Sequence, residues 1–284
     1  MSEKIVCPQC HHSLDKRDPA VWKCSNCGYI VPLMEGKPVF SGHPQDQVPQ
    51  EKIERSADKG TDWRRANWSF IEEIAALLPP GSDVLDVGAG RGDFKGIFSK
   101  HAYLGMDMYP YPEIDLAADL IEVVPFKPAS FDLVVLANVI EHVYDYRLLI
   151  ARCADLLRPG GSLLITVPFL LKLHQEPVDY HRYTRYAISR LAAENQLNVA
   201  RFEAYTNPLA HLDEAIGDVW QHVIPVRKGA QHFTTKARVA LMQKLANSVK
   251  TGKFNGVVKP AAEESNPYVL GYMCLFTKPQ LEAK

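Results

Sequence analysis

The 284-residue chain is long for one ordinary domain and short for two; it carries 32 Lys and Arg against 33 Asp and Glu, and 46% of it is apolar. A formal net charge of -1 excludes the strongly basic balance of an obligate polyanion binder. No apolar run approaches the roughly 20 residues that span a bilayer, and the start MSEKIVCPQC lacks the apolar core of an export signal, so a cytoplasmic, unprocessed chain is expected.

The first module is expected over residues 1–42. CPQCHHSLDKRDPAVWKCSNCG sets Cys7 and Cys10, then Cys24 and Cys27, in two Cys-x-x-Cys knuckles separated by 13 residues. Each tight knuckle aims two thiolates at one point, and two knuckles complete a tetrahedron around zinc with no position left for water. The spacing predicts a structural zinc on these four cysteines; a redox dithiol normally needs one pair, and His11 and His12 are not required as ligands. About forty residues bury little core, so the metal would largely fold the module. WKCSNCGYIVPLMEGKPVF resembles small zinc ribbons. Five basic residues against four acids in residues 1–40 give it no basic surface of the kind that grips RNA. Cys153 and Cys274 stand alone in apolar surroundings, which fits a reducing compartment better than a disulfide framework.

SGHPQDQVPQ, rich in Pro, Gln and Gly, reads as part of a linker over residues 43–56, with a large domain over 57–284. Trp63, Trp68, Phe70, Ile71, Ile74, Ala75, Leu77 and Leu78 recur at helical spacing until Pro79-Pro80-Gly81. In DVLDVGAGRGDF a buried-strand pattern over residues 84–87 runs into Gly88, Gly90 and Gly92, residues suited to a sharp turn that lets backbone approach a ligand. A second strand, AYLGMD, ends at Asp107, whose two oxygens suit a ribose diol. A dinucleotide loop has a different glycine spacing, and the Asp86 carboxylate would repel a pyrophosphate. It suits an ammonium or sulfonium instead.

LDVGAGRG, Asp107, FDLVVLANVIEHV and LLRPGGSLLITVP together resemble, in order and spacing over most of residues 80–185, the class I S-adenosylmethionine-dependent methyltransferases. The resemblance implies a Rossmann-like, doubly wound α/β fold with a seven-stranded sheet whose last strand is antiparallel. Strand patterns near 84–87, 102–106, 131–136 and 162–167, alternating with helical segments, agree with it. It also implies S-adenosylmethionine as cofactor: Asp86, Gly88 and Gly90 around the methionine part, Asp107 on the ribose, Met108 on the adenine face, Asp119 with Leu120 at the adenine amino group, and Asn138 near the donor. Glu141 and His142 follow as either a helix start or direct members of the active site.

HQEPVDYHRYT, residues 174–184, follows the strand SLLITVPF and is expected at the same sheet edge, as an acceptor-side wall and lid. Its form looks like one in bacterial methyltransferases acting on glycans, lipids and secondary metabolites. Methyl transfer is a displacement at a sulfonium carbon, so positioning carries much of the catalysis and a base is needed only for a protonated acceptor. His142, His174 and His181 are the candidate bases. Asp179, Tyr180, Arg182 and Tyr183 are the acceptor-side candidates; the plainer reading is a structural lid in which Asp179 pairs with Arg182 or Arg185 and Tyr183 packs inward. His174, Asp179 and His181 are also metal-ligand types, but Pro177 argues for an irregular loop over a preformed ligand face.

RFEAY and PYVLGYMCLFTKP read as the last two strands, with a helical insertion at about 207–265 between them. Residues 227–262 hold eight Lys or Arg and no acid, and Val239, Met242, Leu245, Ala246 and Val249 make one helical face among the lysines. Such a helix packs on its domain, or touches an anionic acceptor or, peripherally, a membrane surface. The expected function is methyl transfer to a small-molecule, sugar-type or lipid-linked acceptor. An alternative acceptor is RNA, since a zinc ribbon joined to this fold also resembles enzymes that methylate a ribosomal guanine; a second alternative is a non-catalytic cofactor-binding adaptor.

Overall fold

The computed structural model describes residues 3–40, 61–206, 215–216, 230–250 and 269–280. The expected linker and most of the expected insertion lie outside the described residues. One compact unit comprises residues 1–168, 173–203 and 272–284, and a second comprises 169–172 and 204–271.

The N-terminal module is an antiparallel sheet of β1 (Leu14–Asp15), β2 (Val21–Cys24), β3 (Ile30–Met34) and β4 (Lys37–Pro38), paired in that order. Cys24 closes β2, and the Gly28 N–H returns to its carbonyl at 3.1 Å. Past β4 the chain adds to an edge of the larger sheet: Val39 bridges Ala117 in parallel and the Phe40 N–H donates to the Ala117 carbonyl at 2.9 Å. At the other end Ile5 bridges Phe126, the Val6 N–H donates to Pro125, and Lys4 pairs with Asp83. The module thus covers an edge strand that would otherwise offer unpaired backbone groups.

Helix α1 (Asp62–Leu77) starts where Thr61 accepts the Arg64 N–H at 3.3 Å, and buries Trp63, Asn67, Phe70, Ile71, Ile74 and Ala75. Among the described residues seven strands then make one sheet: β5 (Asp83–Val87), β6 (Ala102–Asp107), β7 (Leu116–Ala117), β8 (Phe131–Ala137), β9 (Leu157–Pro168), β10 (Asn198–Tyr205) and β11 (Gly271–Thr277), in the order β10-β11-β9-β8-β5-β6-β7. β5 pairs in parallel with β6 and β8, and β8 with β9. β11 is the antiparallel strand, closed against β9 by bonds from the Gly160 N–H to the Lys278 carbonyl and from the Lys278 N–H to Gly161. Continuous apolar runs such as LVVL and LLITV are what a parallel sheet buried on both faces requires. At the amino ends of the strands Arg158 joins Asp83 and Asp132 at 2.8 and 2.7 Å.

Helix α2 (Tyr146–Leu156) lies between β8 and β9, and α3 (Arg185–Glu194), capped by Thr184, precedes β10. The chain order reverses between β5 and β8, so the carboxyl ends of these two strands form the switch point where open α/β sheets take ligands. In the second unit, α4 spans Ala230–Lys250. Val239 on it is buried whereas Met242 is 48% exposed, so the expected apolar face is not uniformly covered; the side chains of Leu245, Ala246 and Val249 lie outside the described residues. Among the described residues no helix is long and apolar enough to cross a membrane.

Candidate functional site

At that switch point lies a cavity of about 960 Å³, within the range of small-ligand sites. Its first wall begins at Gly88 and Gly90, both at positive φ (75° and 52°). A Cβ on Gly88 would meet Val139 Cγ2 at 2.6 Å, so two strand-end turns approach each other here as only glycine allows. The Gly88 and Ala89 N–H groups both donate to the Met106 carbonyl at 2.9 Å. Asp107 pins the turn from the next strand, accepting the Gly90 N–H on Oδ2 and the Tyr109 N–H on Oδ1, each at 3.0 Å. An ionised carboxylate accepts up to about four hydrogen bonds, so a diol fits the same group.

Gly88, Gly90, Asp107, Met108, Asp119, Leu120 and Asn138 all line the cavity. Asp119 holds its loop by accepting the Ile121 N–H at 2.8 Å. Asp86 does not line it. That carboxyl lies buried behind the glycine turn, accepting the Tyr103 hydroxyl at 2.8 Å, and burial pushes it up to about 7. Asn138 adopts φ 55° past the end of β8 and accepts the Trp63 indole N–H at 2.9 Å. In the sequence Trp63 is one residue of a helical stripe; its partner is 75 positions away, and no local pattern joins them. Arg64 and Asp93, an ion pair, and Tyr109, Tyr111 and Tyr144 are further lining residues that the sequence had not marked.

The second wall comes from the turn after β8 and the loop after β9. Ile140–His142 forms one 3-10 turn in which Ile140 and Glu141 are buried. The loop is fastened to it by backbone: the Tyr180 and His181 N–H groups donate to the Glu141 carbonyl at 2.9 and 3.2 Å, and the Tyr183 hydroxyl donates to Ile140 at 2.9 Å. Asp179, its side chain 1% exposed, accepts two bonds from Arg182 at 2.6 and 2.9 Å and the His174 N–H at 3.0 Å. The Arg182 guanidinium holds the Asp179 carboxyl well below the usual carboxylate range. Arg185, the other partner considered for Asp179, lies instead over the rings of Tyr186 and Phe202.

Of the three candidate bases, His142 alone lines the cavity, together with Gln175, Val178 and Tyr180 of the loop. The His174 ring packs edge-on against His142 at 4.7 Å, behind it. His181 sits among Tyr144, Tyr146 and Tyr183 and donates Nε2–H to the Tyr144 carbonyl at 3.2 Å. Asp179, Arg182 and Tyr183 are likewise set back from the cavity, consumed by contacts among themselves and with the β8 turn.

The fold and this strand-end cavity define a ligand-binding α/β domain, and comparison with known proteins gives its family. A model of the methyltransferase domain family matches residues 61–206, and the chain belongs to that family. A protein of Mycolicibacterium smegmatis named as a probable S-adenosylmethionine-dependent methyltransferase is 32% identical over 117 residues, 37% of this chain and 45% of the relative. A ubiquinone biosynthesis O-methyltransferase of Xanthomonas campestris pv. campestris is 32% identical over 133 residues, 39% of this chain and 51% of the relative. The chain thus spans about half the length of these curated relatives. Among solved structures the cyclase SpnF shares the fold at 16% identity and a TM-score of 0.52, over 85% of this chain and all of that one.

Proposed function

We propose that the protein transfers a methyl group from S-adenosylmethionine to a small-molecule, sugar-type or lipid-linked acceptor. The observation that carries this reading is the two-walled cavity: a glycine turn and an aspartate at one strand pair, and a polar loop facing them across the switch point. Bound there, S-adenosylmethionine supplies a methyl carbon on a positively charged sulfur. Asp107 accepts hydrogen bonds from the ribose hydroxyls, Met108 and Leu120 pack on the adenine, Asp119 takes its amino group, and Asn138, oriented by Trp63, borders the methionine part. Asp86 acts from behind, supporting the glycine turn through its buried contact with the Tyr103 hydroxyl. Gln175, Val178 and Tyr180 face the acceptor and align it, which in a direct displacement carries much of the rate.

The names of the O-methyltransferase relatives favour an oxygen on a small or lipid-like molecule as the accepting atom. The near-neutral ribbon speaks against RNA. Incubating the protein with labelled S-adenosylmethionine and cell extract, then separating RNA, lipid, glycan and small-molecule pools, tests the reading. Label in the small-molecule, glycan or lipid pool is expected; label confined to RNA, or in no pool, overturns it.

The four cysteines are proposed to hold a structural zinc. Sulfurs of Cys7 and Cys27, Cys10 and Cys24, and Cys10 and Cys27 lie 3.5, 3.4 and 3.5 Å apart, and one ligand atom from each of the four lies within 4.8 Å of the others. A tetrahedral zinc with thiolates at about 2.3 Å sets sulfurs about 3.8 Å apart, so the cage fits. Elemental analysis should find one equivalent of zinc lost in Cys24→Ser; a folded, metal-free ribbon would contradict it. Six cysteines without a disulfide suit a reducing compartment such as the cytoplasm.

A further inference from the structure

Glu141 is fully buried, and among the described residues no other residue donates a hydrogen bond to either of its carboxylate oxygens. A buried carboxylate left in that state is costly unless a cation or a proton answers it. Around it the structure assembles a ligand set: one donor atom each from Glu141, His142 and His174 lies within 4.8 Å of the other two. The three come from the turn after β8 and the loop after β9.

Both imidazoles are held in the tautomer a metal needs. His142 Nδ1 lies 2.8 Å from the Val178 carbonyl, which can only accept, so Nδ1 carries the proton and the lone pair is on Nε2, 3.9 Å from Glu141 Oε1. His174 Nδ1 lies 3.2 Å from Asp179 Oδ2, and Arg182 in turn fixes Asp179. A histidine whose outer N–H is held by a carbonyl or carboxylate is the usual outer shell of a metal site. The density of charge in the loop then has a purpose: Asp179 and Arg182 orient a ligand instead of meeting the acceptor.

We propose that Glu141, His142 and His174 bind a divalent transition-metal ion behind the cavity wall that His142 lines. Two imidazoles and one carboxylate suit manganese, iron(II) or zinc, and three protein ligands leave positions open. His142 is then a ligand and not a general base.

The test titrates Mn²⁺ into the purified full chain, reading free ion by electron paramagnetic resonance; manganese avoids the thiolate cage, which prefers softer ions. Wild type is expected to bind one equivalent. Glu141→Gln, which preserves shape, and His174→Ala should each lose at least about tenfold in affinity, while His181→Ala binds as wild type. No uptake of Mn²⁺ by folded wild type leaves a His142–Glu141 ion pair or a protonated Glu141 as the account and overturns the site. Unchanged binding in both ligand variants does the same. Calorimetry with S-adenosylmethionine on the same preparations separates the claims: cofactor binding without metal uptake sinks this site alone, and metal uptake without cofactor binding sinks the methyl-transfer reading alone.

Discussion

The two walls of the cavity are built on opposite plans. On the β5–β6 side Asp93, Tyr109 and Tyr111 line the cavity, and Asp107 and the glycine backbone reach it directly. On the side of the loop after β9, eleven residues hold two histidines, two carboxylates, two tyrosines and an arginine, and most of that chemistry is spent inside the wall. Density of reactive residue types is therefore a poor guide to which of them meet a ligand. What decides is whether a group's hydrogen bonds are already closed within its own wall.

The sharpest way to break this contrast is Gly88→Val. The left-handed backbone and the 2.6 Å approach to Val139 leave no room, so cofactor binding should vanish with about 3 kcal/mol or more of stability, read by calorimetry and thermal melting. Asp179→Ala attacks the other wall. It strands Arg182 beside buried groups and should cost about 3 kcal/mol by denaturant titration while cofactor affinity stays unchanged. A large loss of cofactor affinity there would show that the walls are not independent.

A smaller effect concerns pH. Burial, with the Asp107 and Asp93 charges adding to it against the Tyr103 hydrogen bond, lifts Asp86 from the ordinary 3.8 to about 7. Between those values the folded chain keeps a proton that the unfolded chain has lost, so this group's stabilisation fades as pH rises through that window, by at most about 1.4 kcal/mol per unit. Asp86→Asn removes the slope: its melting temperature relative to wild type should climb from about pH 5 to about pH 8. A constant difference would place the Asp86 carboxyl at an ordinary pKa.

The same contrast explains what the sequence disclosed. The glycine turn, Asp107 and the four long parallel strands are local patterns, in which a strand of a few apolar residues and the turn after it are continuous in the chain, and they match the fold closely. The pairing of Trp63 with Asn138, the docking of Val39 on Ala117, and the meeting of Glu141 with His174 each join distant segments by tertiary packing, which leaves no periodic trace. The two-residue strand β7 is too short to carry a pattern at all. His174 and His181 looked equivalent by residue type; their surroundings separate them, one behind His142 and the other in a cage of tyrosines.

The central claim is that the first wall binds S-adenosylmethionine through Asp107. Calorimetry of wild type and Asp107→Ala, with circular dichroism as the check on folding, measures it most directly. Wild type should bind one equivalent, and the folded variant should lose at least about tenfold in affinity, about 1.4 kcal/mol. Equal affinity in the two proteins, or no binding by folded wild type, would contradict the account.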